Sequence, residues 1–378
     1  MKTIYLDYNA TTPIAPDVQM AMLPFLAEHY GNPSSGHALG RACQEATLDA
    51  RGRVAALLGA ERDEIIFTGG GTESNNLVLK GLAFRQAPLG SGHFVISSIE
   101  HPAITEPARF LERLGYGLSI VDCDANGRID PDDVAAAIQD DTVLVSIMLA
   151  NNEIGTIQPI AEISQICRQH GVLLHTDAAQ AIGKISTRVD ELGVDFLSIA
   201  GHKLYAPKGI GALYIRRGTA LEPLLHGAGH EGGLRAGTEN VPYIVALGEA
   251  AALAGKHLNE SVERLAALRD RLQRQLTEAF GPKCTVNAAG ADRLPNTLSI
   301  NVPGVDASEL LARTPELCAS TSAACHTGHA QRSATQQAIA LSEETARGTL
   351  RLSVGWFTDE EEVDRAANLL IAARQQLR

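Results

Sequence analysis

No run in this chain approaches the ~18–20 consecutive apolar residues that crossing a bilayer requires, so no membrane span is expected. The opening MKTIYLDYNATTP has no basic segment followed by an apolar one, and no secretory signal is read there. Cysteine is sparse and scattered. The six thiols stand at 43, 123, 167, 284, 318 and 325 without a CxxC pair, which removes the usual zinc spacing and any disulfide framework. Positive charge is in deficit too. A formal net charge of −12 argues against nucleic acid or an anionic membrane as the main partner, while leaving room for a local basic patch. Internal repeats and low-complexity tracts are missing. So are a GxGxxG after the first strands and a GK[ST] after the Gly-rich turn, so neither dinucleotide nor Walker-type nucleotide binding is indicated. These absences leave a reduced, cytoplasmic protein.

What is present is enough apolar residue, 45 % of 378, to exceed one ordinary core and suit two domains. Residues 34–58 read as a helix with Ser34 and Ser35 as candidate N-caps and Gly59 as its stop. Strand-like and helical segments then alternate. EIIFT (64–68) leads through a Gly-rich turn into a helical NNLVLKGLAF (75–84). HFVISS (93–98), LSIVD (118–122), TVLVSIML (142–149), VLLHTD (172–177), DFLSIA (195–200) and GALYIR (211–216) read as further strands, with a helix at 160–171. Several are continuous apolar runs, as in strands buried on both faces, so an α/β fold with a mostly parallel, doubly wound sheet is predicted. Residues from 241 to about 280 are helical, and beyond 281 short strands (297–302, 349–354) mix with helices. A last helix follows Thr358, with Glu361 as its capping-box partner. The expected division is a large domain at 13–255 and a smaller α+β domain built from 1–12 and 256–378.

In an open parallel sheet, ligands bind beyond the carboxyl ends of the strands. Five predicted strand ends carry polar residues there: the Gly-rich turn with Gly71 and Thr72, then Glu100-His101, Asn151-Asn152, Asp177 with Gln180, and His202-Lys203. A Gly-rich turn that opens a helix can cradle a phosphate, although taken alone it is as well read as a tight turn. A lone lysine is ordinarily a surface residue. Beside a pocket, a desolvated Lys203 has a lowered pKa and can form a Schiff base. Asp177 on a neighbouring strand end can hold a pyridinium nitrogen protonated. Lysine, aspartate and phosphate cup together describe pyridoxal 5'-phosphate (PLP) better than any nucleotide.

These segments resemble the NifS/IscS-like cysteine desulfurases, within the class V aminotransferase group of fold-type I PLP enzymes. The resemblance runs from YLDYNATTP at residue 5 to LRLSVGWFT at 350–358, through YGNPSS (30–35), TGGGTESNN (68–76), SSIEHPAI (97–104), NNEIGTIQPI (151–160), HTDAAQ (175–180), GHKLYAPKGIGALYI (201–215) and RAGTENV (235–241). It implies that Lys203 carries the cofactor, Asp177 pairs with the ring nitrogen, His101 stacks on the ring and Gln180 contacts the phenolic oxygen. Thr72 and His202 would hold the phosphate, helped by Thr238 from the partner subunit of a homodimer. Asn152 and Arg351 would bind the substrate carboxylate, a task suited to an arginine fork.

Cys325 matches the family nucleophile, in a segment (319–337) that reads as a mobile loop without apolar periodicity. Cys318 reads as packing within ELCAS. The implied reaction takes L-cysteine to alanine: Lys203 removes the Cα proton and the Cys325 thiolate attacks the substrate sulfur, keeping it as a persulfide. His101 is the nearest proton carrier, with His326 a weaker candidate. A protein acceptor then takes the sulfur, an iron–sulfur scaffold or a thiolation enzyme. Two departures stand out. Ala200 replaces the family's serine and removes one phosphate hydroxyl, with Ser198 two residues upstream on the same face. Cys325-His326 and the GTEN run at 237–240 also resemble selenocysteine lyases, which keeps L-selenocysteine open as a substrate. An ordinary aminotransferase or β-lyase, and a catalytically silent PLP-fold partner in a sulfur-transfer assembly, remain as alternatives.

Overall fold

The structure, a computed structural model, describes residues 3–86, 88–321 and 332–377. The alternating segments assemble the predicted α/β architecture. A seven-stranded sheet has the spatial order Ile65–Thr68, Gly211–Ile215, Phe196–Ala200, Leu173–Asp177, Thr142–Ser146, His93–Ser97, Gly117–Val121. Six strands point one way, and only Gly211–Ile215 runs against its neighbours. Phe196–Ala200, Gly211–Ile215 and His93–Ser97 are buried along their whole length, which explains why their apolar residues do not alternate with solvent-facing polar ones. Gly117–Val121 is the edge strand and is mostly solvent-facing.

A second sheet, fully antiparallel, has the order Ser320–Thr321, Thr349–Ser353, Thr297–Asn301, Thr285–Val286. Its apolar face packs with Ile4, Leu6, Leu268, Leu272, Val363 and Leu370 in a core of its own. The 40-residue helix Val241–Phe280, about 60 Å long at 1.5 Å per residue, serves both cores. Its first turns bury Ile244, Leu247 and Ala251 with the large sheet, and its later turns bury Leu265, Leu272 and Leu276 with the small one. Ile4–Tyr5 pairs in parallel with Leu317–Cys318, which ties the N-terminal segment to the second sheet.

Several local expectations are corrected. The first long helix is Ala38–Leu58, capped by His37 rather than Ser34 or Ser35. Residues 32–35 form their own turn, with Ser34 N donating to Asn32 Oδ1 and Ser35 N to Asn32 O, both at 2.9 Å. The Gly59 stop is as expected, in the left-handed conformation. The last helix, Glu360–Gln376, is capped by Asp359, whose carboxylate accepts from Glu362 N at 2.8 Å. Thr358 is instead engaged by Gly355 N at 3.0 Å, so the Thr358–Glu361 capping box does not form. Cys318 is exposed rather than packed. Alternation along its short strand gives the inward place to Leu317. The expected loop at 319–337 contains structure at both described ends: Ser320–Thr321 is a strand, and Ala334–Ala338 is a helix with a Ser333–Gln336 capping box. Residues 322–331, with Cys325 and His326, lie outside the described residues.

Candidate active site

The strand ends open onto one cavity of about 380 Å³, lined by Gly71, Thr72, His101, Asn152, Asp177, Gln180, His202, Lys203 and Arg351. These nine come from six segments spread over 280 residues of chain; the large sheet brings eight of them together, and Arg351 arrives from the antiparallel sheet. Thr238, expected to serve the partner's site, is exposed and lies outside its own chain's cavity.

Lys203 ends a single 3-10 turn, Gly201–Lys203, directly after the strand Phe196–Ala200. Its Nζ donates to the carbonyls of Asn9 and Ala10, the latter at 2.7 Å. Burial pulls this amine down to about 8, and the nearby Arg351 charge adds to the drop. Asp177, 7 % exposed, accepts from Asn75 Nδ2 at 2.7 Å and from Ala179 N at 2.9 Å. The carboxylate is thus held by two neutral donors while facing the cavity.

The Gly-rich turn is shaped by its neighbours. Gly70 has φ +147 and ψ 177, a conformation open essentially to glycine alone. Gly69 N donates to Glu73 Oε2 at 2.9 Å, while Arg235 Nε holds the other carboxylate oxygen at 3.0 Å. Thr68 and Ser74 join hydroxyls at 2.8 Å. The helix Gly71–Ala83 therefore begins earlier than its apolar pattern announced, and its N-terminal N–H groups face the cavity with the positive end of the helix dipole. Ala200 stands beside this terminus: a Cβ built on Gly71 would meet Ala200 Cβ at 3.3 Å. Ser198 does not replace the missing hydroxyl. It is fully buried and joined to His175 Nε2 at 2.9 Å, with Ser146 on the other ring nitrogen at 2.8 Å.

His101 caps the helix Pro102–Arg113, its Nδ1 accepting from Ala103 N at 3.0 Å. That bond puts the proton of the neutral ring on Nε2. Burial lowers its pKa, partly opposed by Asp177. Burial and the Lys203 charge hold His202 at about 4, so it enters the cavity neutral. Arg351, 9 % exposed, gives Nη2 to Asp7 Oδ1 at 2.8 Å and to Ser320 Oγ at 3.1 Å, and Nη1 to Asn152 O at 3.3 Å.

Sequence reasoning missed the part played by residues 7–12. Asn9 donates to Thr297 Oγ1 at 2.8 Å and Asn152 O at 3.1 Å, and its carbonyl accepts from both Lys203 and Gln180. Thr11 meets His202 Nδ1 at 3.2 Å, and Thr12 N donates to His202 O at 3.0 Å. NATTP carries no periodicity and no charge, so only its recurrence as a family motif marks it. Asn75 and Asp7 were missed as well, since neither belongs to a spacing that announces a partner.

Residues 4–366 match the family described as Aminotransferase class-V. Cysteine desulfurase IscS of Dictyoglomus turgidum (strain DSM 6724 / Z-1310) is 43 % identical over 379 residues, covering 100 % of this chain and 96 % of the relative. The chain belongs to the cysteine desulfurases of the class V aminotransferase family. Among solved structures, a NifS-like protein superposes with a TM-score of 0.91 at 34 % identity, over 99 % of this chain and all of the other. SspA in complex with cysteine superposes with a TM-score of 0.83 at 37 % identity, over 93 % and 99 % of the two chains. This family of cysteine desulfurases is PLP-dependent. The likeness spans both sheets of this cysteine desulfurase.

Proposed function

We propose that this cysteine desulfurase binds PLP in the cavity through Lys203 and moves sulfur from L-cysteine onto Cys325, with L-alanine as the other product. The observation that carries the reading is the Lys203 amine, brought by burial to about 8 and set between an anion-binding helix terminus and the Asp177 carboxylate. The cavity has the donor set the cofactor needs: an amine for the aldehyde, a carboxylate for the ring nitrogen, and N–H groups with Thr72 and neutral His202 for the phosphate. Bound there, PLP supplies an electrophilic carbon for the substrate amine and a conjugated ring that accepts the electron pair released at Cα.

The chain's own groups do the rest. Arg351 and Asn152 take the substrate carboxylate, and Lys203 Nζ receives the Cα proton. His101, protonated at Nε2, holds or passes a proton on the same side of the cavity. Cys325 as thiolate attacks the substrate sulfur; an S–S bond forms, and the Cβ–S bond breaks with its electron pair left on the alanine portion. A protein acceptor, an iron–sulfur scaffold or a thiolation enzyme, then takes the persulfide sulfur in the cytoplasm. The GTEN run and Cys325-His326 favour testing L-selenocysteine as a second substrate.

Two further assignments belong to this proposal. The chain divides at residues 255/256, with 1–12 joining 256–378, supported by the long helix changing cores along its length. Two copies pair so that Thr238 of each completes the other's phosphate site, supported by its exposure outside its own cavity. The deciding test uses purified protein reconstituted with PLP. Lys203→Ala loses the visible absorbance of the lysine-bound cofactor. Cys325→Ser keeps it, yet yields no alanine from cysteine above background. Alanine formation at the native rate by Cys325→Ser removes the thiol from the mechanism.

A further inference from the structure

Lys184 is the most deeply buried amine near the cavity that the reaction leaves unused. It is 6 % exposed, and its Nζ donates to two oxygens of a single residue, Gln180 O at 2.9 Å and Gln180 Oε1 at 3.3 Å. Among the described residues no carboxylate pairs with it. Burial, with the Lys203 charge adding to it, pulls the amine down to about 7. An ammonium with no acid beside it is a costly thing to bury, and such groups collect at functional sites.

The local fold brings it there. After the strand ending at Asp177, the chain closes a turn through Ala181 N and Ile182 N onto Ala178 O, both at 2.9 Å. Gly183 has φ +70, and a Cβ on it would meet Leu204 Cδ1 at 2.4 Å. Only glycine allows this left-handed step so close to the residue after Lys203. The step sends the Lys184 side chain back under Gln180.

A primary amide has one accepting and one donating end, and its two orientations are nearly equal in shape. As an ammonium, Lys184 is a donor only. By occupying Oε1 it makes the NH2 end of Gln180 the one that faces the cavity, where Nε2 now donates to Asn9 O at 2.8 Å, the same carbonyl that Lys203 uses. We propose that Lys184 is a positioning residue that locks Gln180 with its donor end toward the phenolic oxygen of the cofactor. The proposal rests on the PLP reading above and deepens it. A donor held there stabilises the ionised oxygen and so sets the acidity of the bound chromophore. Without Lys184 only the Asn9 carbonyl would favour this orientation, and each turn of the amide would set Oε1 against that oxygen.

The test is a spectral pH titration of PLP-loaded protein without substrate, supplemented by the PLP dissociation constant of the apoprotein. Four proteins are compared: native, Gln180→Ala, Lys184→Met and Lys184→Gln. Gln180→Ala should move the chromophore pKa upward by ~1 unit, the loss of one hydrogen bond to a charged group. Lys184→Met should move it the same way, with weaker PLP binding and no further shift when combined with Gln180→Ala. Lys184→Gln, which keeps an N–H for Oε1, should stay near the native value. A native titration in Lys184→Met, equal displacement by Met and Gln, or additive shifts in the double variant would overturn the positioning role. Should Lys184→Met not fold, Lys184→Leu takes its place: a chromophore pKa raised as in Gln180→Ala upholds the role and a native one refutes it. Absence of a lysine-bound chromophore in the native protein, by contrast, refutes the PLP reading itself.

Discussion

Lys203 and Glu100 show how burial, more than any charged neighbour, tunes single groups at this site. An ordinary lysine titrates at 10.5, whereas the buried Lys203 amine does so at about 8. The rate at which apoprotein captures PLP should therefore rise with pH and reach half its maximum near 8, since only the free amine attacks the aldehyde. A midpoint near that of ordinary lysine would show an amine left in water. Glu100 goes the other way. Buried beside His101, its Oε1 accepts from Ser97 Oγ at 2.5 Å and Met148 N at 2.8 Å, while Oε2 has no hydrogen-bond partner among the described residues. Burial raises its carboxyl from 4.5 to about 8. The folded chain thus keeps a proton that the unfolded chain releases above 4.5. This contribution to stability is complete below 4.5 and is lost as pH rises through about 8. Glu100→Gln, neutral at every pH, should lose least against the native protein at alkaline pH. The native-minus-variant difference in Tm, followed from pH 5 to 9, should fall.

At the scale of the element, the Gly-rich turn and the helix it opens form the anion site, and the turn is the strained part. Gly70 sits at φ +147, and Gly211 on the adjacent strand presses against it, because a Cβ on Gly211 would meet Gly70 Cα at 2.7 Å. Gly70→Ala should cost ~1–3 kcal/mol in unfolding free energy. PLP affinity should also fall in the same variant, read by equilibrium dialysis, because the helix terminus is displaced. A stable Gly70→Ala protein with native PLP affinity would mean that the turn has slack. Elements were well marked in the sequence where their residues repeat: the largely apolar runs of Phe196–Ala200 and Gly211–Ile215, or the helical spacing before Gly59. Their ends were read less well. Asp359 took the cap expected of Thr358, and His37 took that expected of Ser34 or Ser35. Thr358 Oγ1 already accepts from Gly355 N, and the backbone of Ser34 and Ser35 is already folded into a turn on Asn32; no spacing rule sees such competition.

For the whole molecule, the N-terminal segment is the joint between the two cores. Asn9 alone binds residues 152, 296, 297 and 353 and supports both Lys203 and Gln180 from its carbonyl. Asn9→Ala leaves the side chains of Thr297 and Asn296 short of partners inside the protein. It should lower stability by ~1–3 kcal/mol and loosen PLP, since the segment that holds the Lys203 turn loses its side-chain bonds to Asn296 and Thr297 and keeps only those through Leu6, Asp7, Tyr8 and the Asn9 backbone. Calorimetry of holoprotein and apoprotein separates the two effects. A variant with native PLP affinity would show that the joint is structural only.

The sequence by itself determined the α/β class, the strand ends that bear chemistry, and nine of the residues that line the cavity. Strand positions and burial follow from the apolar runs, and the ligand side of a parallel sheet follows from its direction. Only the tertiary structure decided that Asp7 holds Arg351, that Asn75 holds Asp177, that Ser198 belongs to His175 and not to the phosphate site, and that Lys184 lies under Gln180. Apart from the last pair, each contact joins residues from separate segments, where periodicity has nothing to say. Lys184 is four residues from Gln180, but its burial depends on how Gly183 packs against Leu204. A polar side chain finds its partner by position in space, and that position is fixed only when the cores close around it.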